Sequence, residues 1–272
     1  MRLGLSLPSM NSGGHALTGE GLVEHARHIE AAGFDSIWCF DSIGRGNPSL
    51  DPLIAVAVAA TATRHVSVGT GVLQVPLRHP VELANRVLGA HLLCQGRLLL
   101  GVGAGSTEGD FAAVGIDFST RMQRLEDGLT LMRRLWNGET VDGVALNPWP
   151  AAIGGPPVLI GSWRGKTWIP RAAREFDGWI ASAARTNAKT LAEGLERFRA
   201  AGGKRAIVTN IRIDLSAPTT PLGDGPFDLC CTPEAATDRL QRLAAFGFDE
   251  AVLVHRSPDQ RDLEQVRALL PA

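Results

Sequence analysis

Short apolar runs of strand length alternate with helix-length amphipathic segments along the whole chain, and no other feature so narrows the folds open to it. The runs cover residues 2–7, 35–40, 65–73, 97–103, 157–161, 178–182, 205–213 and 249–254. The helical patterns cover 19–32, 51–63, 80–95, 119–137, 166–175, 188–201, 233–246 and 259–270. Local punctuation agrees with these bounds: Gly33 follows the first helix, Asp51-Pro52 opens the second, and Thr232-Pro233 opens the seventh. Such alternation implies a parallel sheet covered by helices. A doubly wound sheet alternates in the same way but usually carries G-x-G-x-x-G after its first strand, and SMNSGGHA does not fit. Eight units in 272 residues, close to the roughly 250 of a (β/α)₈ (TIM) barrel, favour an α/β fold closed into that barrel. No linker or low-complexity tract divides it, so one domain over 1–272 is expected. The long loops 104–118, 138–156 and 214–231 are expected at the rim.

The 27 Lys and Arg residues nearly balance the 28 Asp and Glu, so no global field recruits nucleic acid or an anionic membrane. No stretch reaches the roughly 18 apolar residues of a membrane span. The start, RLGLSLP, reads as a strand rather than a signal peptide. Cys39, Cys94, Cys230 and Cys231 form no CxxC pair, which fits reduced thiols in a cytoplasmic protein better than zinc or a disulfide framework. There is no HExxH or HxH, so no metal site is expected, and no Gly-x-Ser-x-Gly elbow for a serine hydrolase.

In a (β/α)₈ barrel the chemistry sits at the C-terminal ends of the strands. Gly71, Val72, Gly103, Ala104 and Gly105 lie at the ends of two neighbouring strands. Glycine there either lets backbone approach a flat ligand or serves the curvature of the barrel. The segment Ser162, Trp163, Arg164, Gly165, Lys166, Thr167 enters a helix. Its hydroxyls, cations and free N–H groups suit a phosphate, although an ordinary capped loop reads the same way. Asp41 is an acid/base candidate or a loop cap. Ser42, Ser106, Thr107 and Arg185 stand at strand ends as substrate contacts. His255 and Arg256 past the last strand either meet an anionic substrate or are solvated loop charge.

Three stretches together resemble a known family. They are AAGFDSIWCFDS, the long run from VSVGTGVLQVPLRHP through GRLLLGVGAGSTEGDF to FSTRMQRLEDGLTLMRRLW, and IGSWRGKTWIPRAAREFDGWIAS. In order and at barrel spacing, they resemble bacterial-luciferase-like monooxygenases, flavin- or F420-dependent barrel oxidoreductases. The resemblance implies FMN or coenzyme F420 as cofactor. It implies a non-proline cis peptide at Gly71–Val72 under the ring, a phosphate at 162–167, a small organic substrate, and a separate flavin or F420 reductase as partner. This sequence departs from the family at Ser42, where a His is expected, and at Ser106, where related sugar-phosphate dehydrogenases have Glu. Two alternatives stay open. One is a flavin-binding barrel without turnover; the other is a non-redox, phosphate-handling barrel, whose Schiff-base lysine would have to be Lys166.

Finally, LIAVAVAATA over 53–62 offers no charged face, and the next helix adds Leu88, Leu92 and Leu93. Outer barrel helices normally present a polar side to water. A homodimer through these helices is expected, unless a loop such as 138–156 covers them.

Overall fold

The computed structural model describes residues 1–7, 18–46, 49–163, 165–255 and 260–270. Strands β1 (Arg2–Ser6), β2 (Ser36–Cys39), β3 (Ser67–Thr70), β4 (Leu73–Gln74), β5 (Leu98–Gly103), β6 (Val158–Gly161), β7 (Gly178–Ser182), β8 (Ala206–Asp214), β9 (Leu229–Cys230) and β10 (Glu250–Val254) alternate with helices. These are α1 (Gly19–Ala31), α2 (Pro52–Ala62), α3 (Pro80–Leu93), α4 (Glu108–Ala113), α5 (Arg121–Trp136), α6 (Trp168–Glu175), α7 (Ala188–Ala200), α8 (Pro233–Phe246) and α9 (Gln260–Arg267). Side chains start several helices where the sequence places them. Asp51 accepts from the N–H groups of Leu53 and Ile54, Thr18 from that of Gly21, and Asn187 closes a reciprocal box with Thr190. Gly247, in the left-handed conformation at φ 100°, ends α8.

All strand pairs of the main sheet are parallel. The order β10-β1-β2-β3-β5-β6-β7-β8, with β8 pairing back to β10, closes an 8-strand ring. β4 continues the line of β3 alongside β5, and β9 extends β8 beyond the ring. Inside the ring Trp38, Leu99, Leu159, Ile180, Ile207 and Val252 form one apolar cluster, on which Val72 packs. A second, larger cluster lies between strands and helices. At the floor, Trp38 Nε1 donates to Ser36 Oγ (2.8 Å) and to Glu250 Oε1 (3.0 Å). Ser36 Oγ also donates to Glu250, whose other oxygen lies 3.7 Å from Arg2 Nε.

The structure corrects the expected layout in two respects. The third strand does not run unbroken over 65–73: the cis Gly71–Val72 peptide that the resemblance implies is present and separates β3 from β4. The loops 104–118 and 214–231 are not plain connections, because α4 sits in the first and β9 in the second. Both pieces are too short to show a period in sequence.

Candidate functional site

A cavity of about 700 Å³ opens at the C-terminal end of the barrel. Its centre is built around Val72. A Cβ on Gly103 or on Gly161 would come within 2.7 or 2.6 Å of the Val72 methyl groups, closer than side-chain carbons pack. Glycine at those two strand ends therefore seats Val72 over the apolar cluster inside the ring. The bare backbone of Gly103, Ala104 and Gly105 lines the same cavity. Gly105, at φ 80°, has Gln74 Oε1 and the Phe111 ring where a side chain would go.

One wall is a chain of charges. Asp41, 7% exposed, takes both guanidinium nitrogens of Arg78 (2.5 and 3.0 Å) and the N–H of Gln74 (2.8 Å). The Gln74 amide nitrogen donates to the Asp41 carbonyl and to Asp110 Oδ2 (2.9 Å), and Asp110 in turn binds Arg45 through both oxygens. Burial alone would raise the Asp110 carboxyl, but the hydrogen bonds from Arg45 and Gln74 hold it below the usual carboxylate range. Gln74 Oε1 is left buried without a donor.

Other parts of the lining are aromatic and cationic. Phe118, Trp163 and Trp168 line the cavity, with Arg121 stacked 3.9 Å from the Phe118 ring centre and Arg185 5.9 Å from that of Trp163. Among the described residues neither arginine pairs with a carboxylate. Thr209, Asn210 and Ser182 complete the lining from β8 and β7.

Of the residues singled out by sequence, Asp41, Gly71, Val72, Gly103, Ala104, Gly105, Ser106, Thr107, Ser162, Gly165 and Arg185 line this cavity. Ser42, Lys166, Thr167 and His255 do not. Lys166 and Thr167 form a turn before α6, and the Thr167 side chain makes no capping bond. Arg164 and Arg256 lie outside the described residues. Sequence reasoning placed Gln74 at a strand end without a role and assigned nothing to Arg45, Arg78, Asp110, Arg121 and Asn210. Arg78, Asp110 and Arg121 stood inside the motifs that carried the resemblance. Asn210 sat in an apolar strand, where asparagine is depleted, and that was a usable signal.

A family model described as luciferase-like monooxygenase matches residues 1–224. An F420-dependent hydroxymycolic acid dehydrogenase of Mycobacterium tuberculosis is 32% identical over 208 residues, 68% of this chain and 57% of the relative. A 4-hydroxyprotoasukamycin monooxygenase of Streptomyces nodosus is 35% identical over 119 residues, 43% of this chain and 32% of the relative. The chain thus spans about half the length, or less, of these relatives. The solved structure of the monooxygenase RslO1 from Streptomyces bottropensis shares the fold with a TM-score of 0.80 at 18% identity, covering 99% of this chain and 97% of that one.

Proposed function

The chain belongs to the luciferase-like monooxygenase family, and from that premise we propose a flavin- or deazaflavin-dependent oxidoreductase, one domain over 1–272, acting on a small organic substrate with FMN or F420. The observation that carries the reading is the seating of Val72 on Gly103 and Gly161 at the mouth of the ring. It supplies a flat apolar platform edged by bare backbone at Gly71 and at Gly103, Ala104 and Gly105, which suits a planar ring.

The residues present fit such a cofactor. Asp41 is matched by Arg78 and Asp110 by Arg45, so the cavity keeps Arg121 and Arg185 as uncompensated cations for the cofactor's anionic arm. Ser162 and the backbone of Gly165 line the same cavity as hydroxyl and N–H donors. Gln74 Oε1, orphaned beside Gly105, is an acceptor of the kind that a bound N–H satisfies. When bound, either cofactor supplies the electrons that side chains cannot. The protein then binds, orients and excludes water. Phe118, Trp163 and Trp168 shield the cavity, Ser106 and Thr107 face the substrate, and Asp41 positions β4 through the Gln74 N–H rather than moving a proton.

Titrating the purified protein with FMN and with F420, followed by fluorescence, tests the reading. One of the two should bind; if neither does, it fails. A second reading, binding without turnover, draws on one observation: both carboxylates in the charged wall are engaged by arginines. Oxidation of the bound reduced cofactor by oxygen or an organic acceptor separates the two. A non-redox Schiff-base enzyme is disfavoured because Lys166 does not line the cavity.

The proposal extends to a homodimer. On α2 most apolar side chains are covered by α1 and α3, yet Ile54 on α2 and Leu93 on α3 are 61% and 55% exposed. The turn Pro150–Ala152 of the 138–156 loop packs on α3 without covering Leu93. Light scattering at micromolar protein checks it, and a mass of 28.9 kDa at every concentration would remove it. A separate reductase would supply the reduced cofactor. No described helix is long and apolar enough to cross a membrane, and the free thiols of all four cysteines fit a cytoplasmic setting.

A further inference from the structure

Two strands of the ring are irregular, and they face each other. β3 breaks at Gly71–Val72; β8 lies diametrically across, with β5, β6 and β7 between them on one side and β2, β1 and β10 on the other. Along β8 the register slips. Ala251 pairs with Val208 but Leu253 with Ile211, so β8 carries one residue more than its neighbour over that interval. The extra residue falls at Thr209–Asn210, and Asn210 adopts φ 60°, a left-handed conformation that a non-glycine residue seldom takes inside a strand. Both residues line the cavity. A bulge of this kind re-aims a side chain that regular pleating would send elsewhere.

The hydrogen bonds show which end of the amide is left for a ligand. Thr209, 1% exposed, donates its only hydroxyl hydrogen to the Ala181 carbonyl (3.2 Å), so towards Asn210 it can only accept. The Asn210 nitrogen therefore faces it, at 3.1 Å, and also approaches Ser182 Oγ at 3.4 Å. With the nitrogen held by the wall, Asn210 Oδ1 has no donor among the described residues and is not among the buried orphans. Ser182, which also lines the cavity, keeps its own hydrogen to give. An acceptor and a donor, both uncharged, thus stand side by side, with Ile180 of the same wall as an apolar neighbour.

We propose that Asn210 and Ser182 form the substrate-recognition pair of this site and select a neutral hydroxyl-bearing substrate. An alcohol's O–H donates to Asn210 Oδ1 while its oxygen accepts from the Ser182 hydroxyl. A ketone of the same shape keeps only the Ser182 contact, and a carboxylate meets the lone pairs of Asn210 without a proton to offer. The inference deepens the oxidoreductase reading and rests on it for the word substrate, but the recognition itself is a property of the wall.

Cyclohexanol, cyclohexanone and cyclohexanecarboxylate, matched in size, are the probes, and calorimetric titration is the readout, with and without added cofactor. The wild type should take cyclohexanol more tightly than cyclohexanone, and the carboxylate, which Arg121 and Arg185 can hold, should not respond to Asn210→Gly. Asn210→Gly keeps the left-handed backbone and removes the amide; it should weaken cyclohexanol by about five- to tenfold, the scale of one neutral hydrogen bond. Cyclohexanone affinity and cofactor affinity should stay unchanged, whereas Ser182→Ala should weaken both neutral probes. Equal losses for all three probes in Asn210→Gly, no loss at all, or a wild type that takes up no cyclohexanol, would each overturn the proposal. If FMN and F420 both fail to bind while the cyclohexanol pattern holds, the cofactor reading falls and this one stands. If a cofactor binds normally and the probes are not discriminated, recognition by Asn210 and Ser182 falls and the cofactor reading stands.

Discussion

The floor and the mouth of the barrel both carry polar groups inside walls of the same eight strands, but they handle them differently. At the floor, Ser36, Trp38 and one Glu250 oxygen are hydrogen-bonded to one another beneath a layer of apolar side chains, and the other Glu250 oxygen, buried without a hydrogen bond, lies 3.7 Å from Arg2 Nε. At the mouth the charges divide into two kinds. Asp41–Arg78 and Asp110–Arg45 are closed pairs that tie the turn after β4 and helix α4 to the loop after β2. Arg121, Arg185 and the Asn210 oxygen are left with capacity to bind something else. Closed networks hold a fold together; open ones cost little to keep only where water or a ligand can reach them. The contrast assigns stability to the floor and to the paired half of the mouth, and binding to the unpaired half.

The largest effect should come from the floor. Trp38→Ala empties the space that Trp38 fills against Gly69 and should cost about 3–5 kcal/mol. A loss under about 1 kcal/mol in denaturant unfolding would mean that the ring interior is not a stabilising layer. Arg78→Met should behave like a floor mutation although it lies at the mouth. It strands the buried Asp41 carboxylate, at about 3 kcal/mol. Adding Asp41→Asn should recover part of that loss, and strictly additive losses in the double-mutant cycle would break the pairing argument.

Acid should dissect the molecule in two stages. Burial, then the neighbouring His28 and His255, lower the His25 pKa from 6.5 to about 4. The folded state therefore prefers neutral His25. Its contribution is whole above pH 6.5 and is lost as pH falls from there towards 4, on the order of 3 kcal/mol in all. His25→Phe should flatten stability across that window. Below it the depressed Asp110 carboxyl should protonate and release its latch to Arg45, a loss that His25→Phe leaves in place. The smallest stability change belongs to the open half of the mouth. Arg185→Ala should move the unfolding free energy by no more than about 0.5 kcal/mol. It should nevertheless weaken binding of the cofactor's anionic arm roughly tenfold or more. A large stability loss with unchanged binding would erase the distinction between the two halves.

Much of this was legible in the chain itself. Alternation of apolar runs and amphipathic helices is a local property, written in every unit, so the ring and its helices could be read almost to their bounds. Asp51-Pro52, Asn187 and Gly247 act within a few residues of themselves and mark helix ends for the same reason. The alternation placed Gly71, Val72, Gly103, Ala104 and Gly105 at the mouth, where they line the cavity, and the resemblance added the cis peptide at Gly71–Val72. What those glycines accommodate was not legible. Gly103 and Gly161 make room for Val72, a residue from a different strand, and only closure of the ring brings the three together.

The charged wall and the β8 bulge divide in the same way. Asp41, Arg78, Gln74 and Asp110 are spread over some 70 positions, and nothing in their spacing says which carboxylate meets which guanidinium. That pairing turns Asp41 from a free acid into a fixed strut. Lys166 and Arg185 look equally available in sequence, yet the turn before α6 keeps Lys166 out of the lining while the turn after β7 brings Arg185 into it. Asn210 reads as a flaw in an apolar strand until its neighbour β10 proves one residue short. The sequence by itself determined the architecture, the ends of its elements and the face on which chemistry sits, because each rests on local propensity and periodicity. The tertiary structure alone decided which polar groups are satisfied and which remain open, because hydrogen bonds and ion pairs depend on atoms brought together from distant parts of the chain.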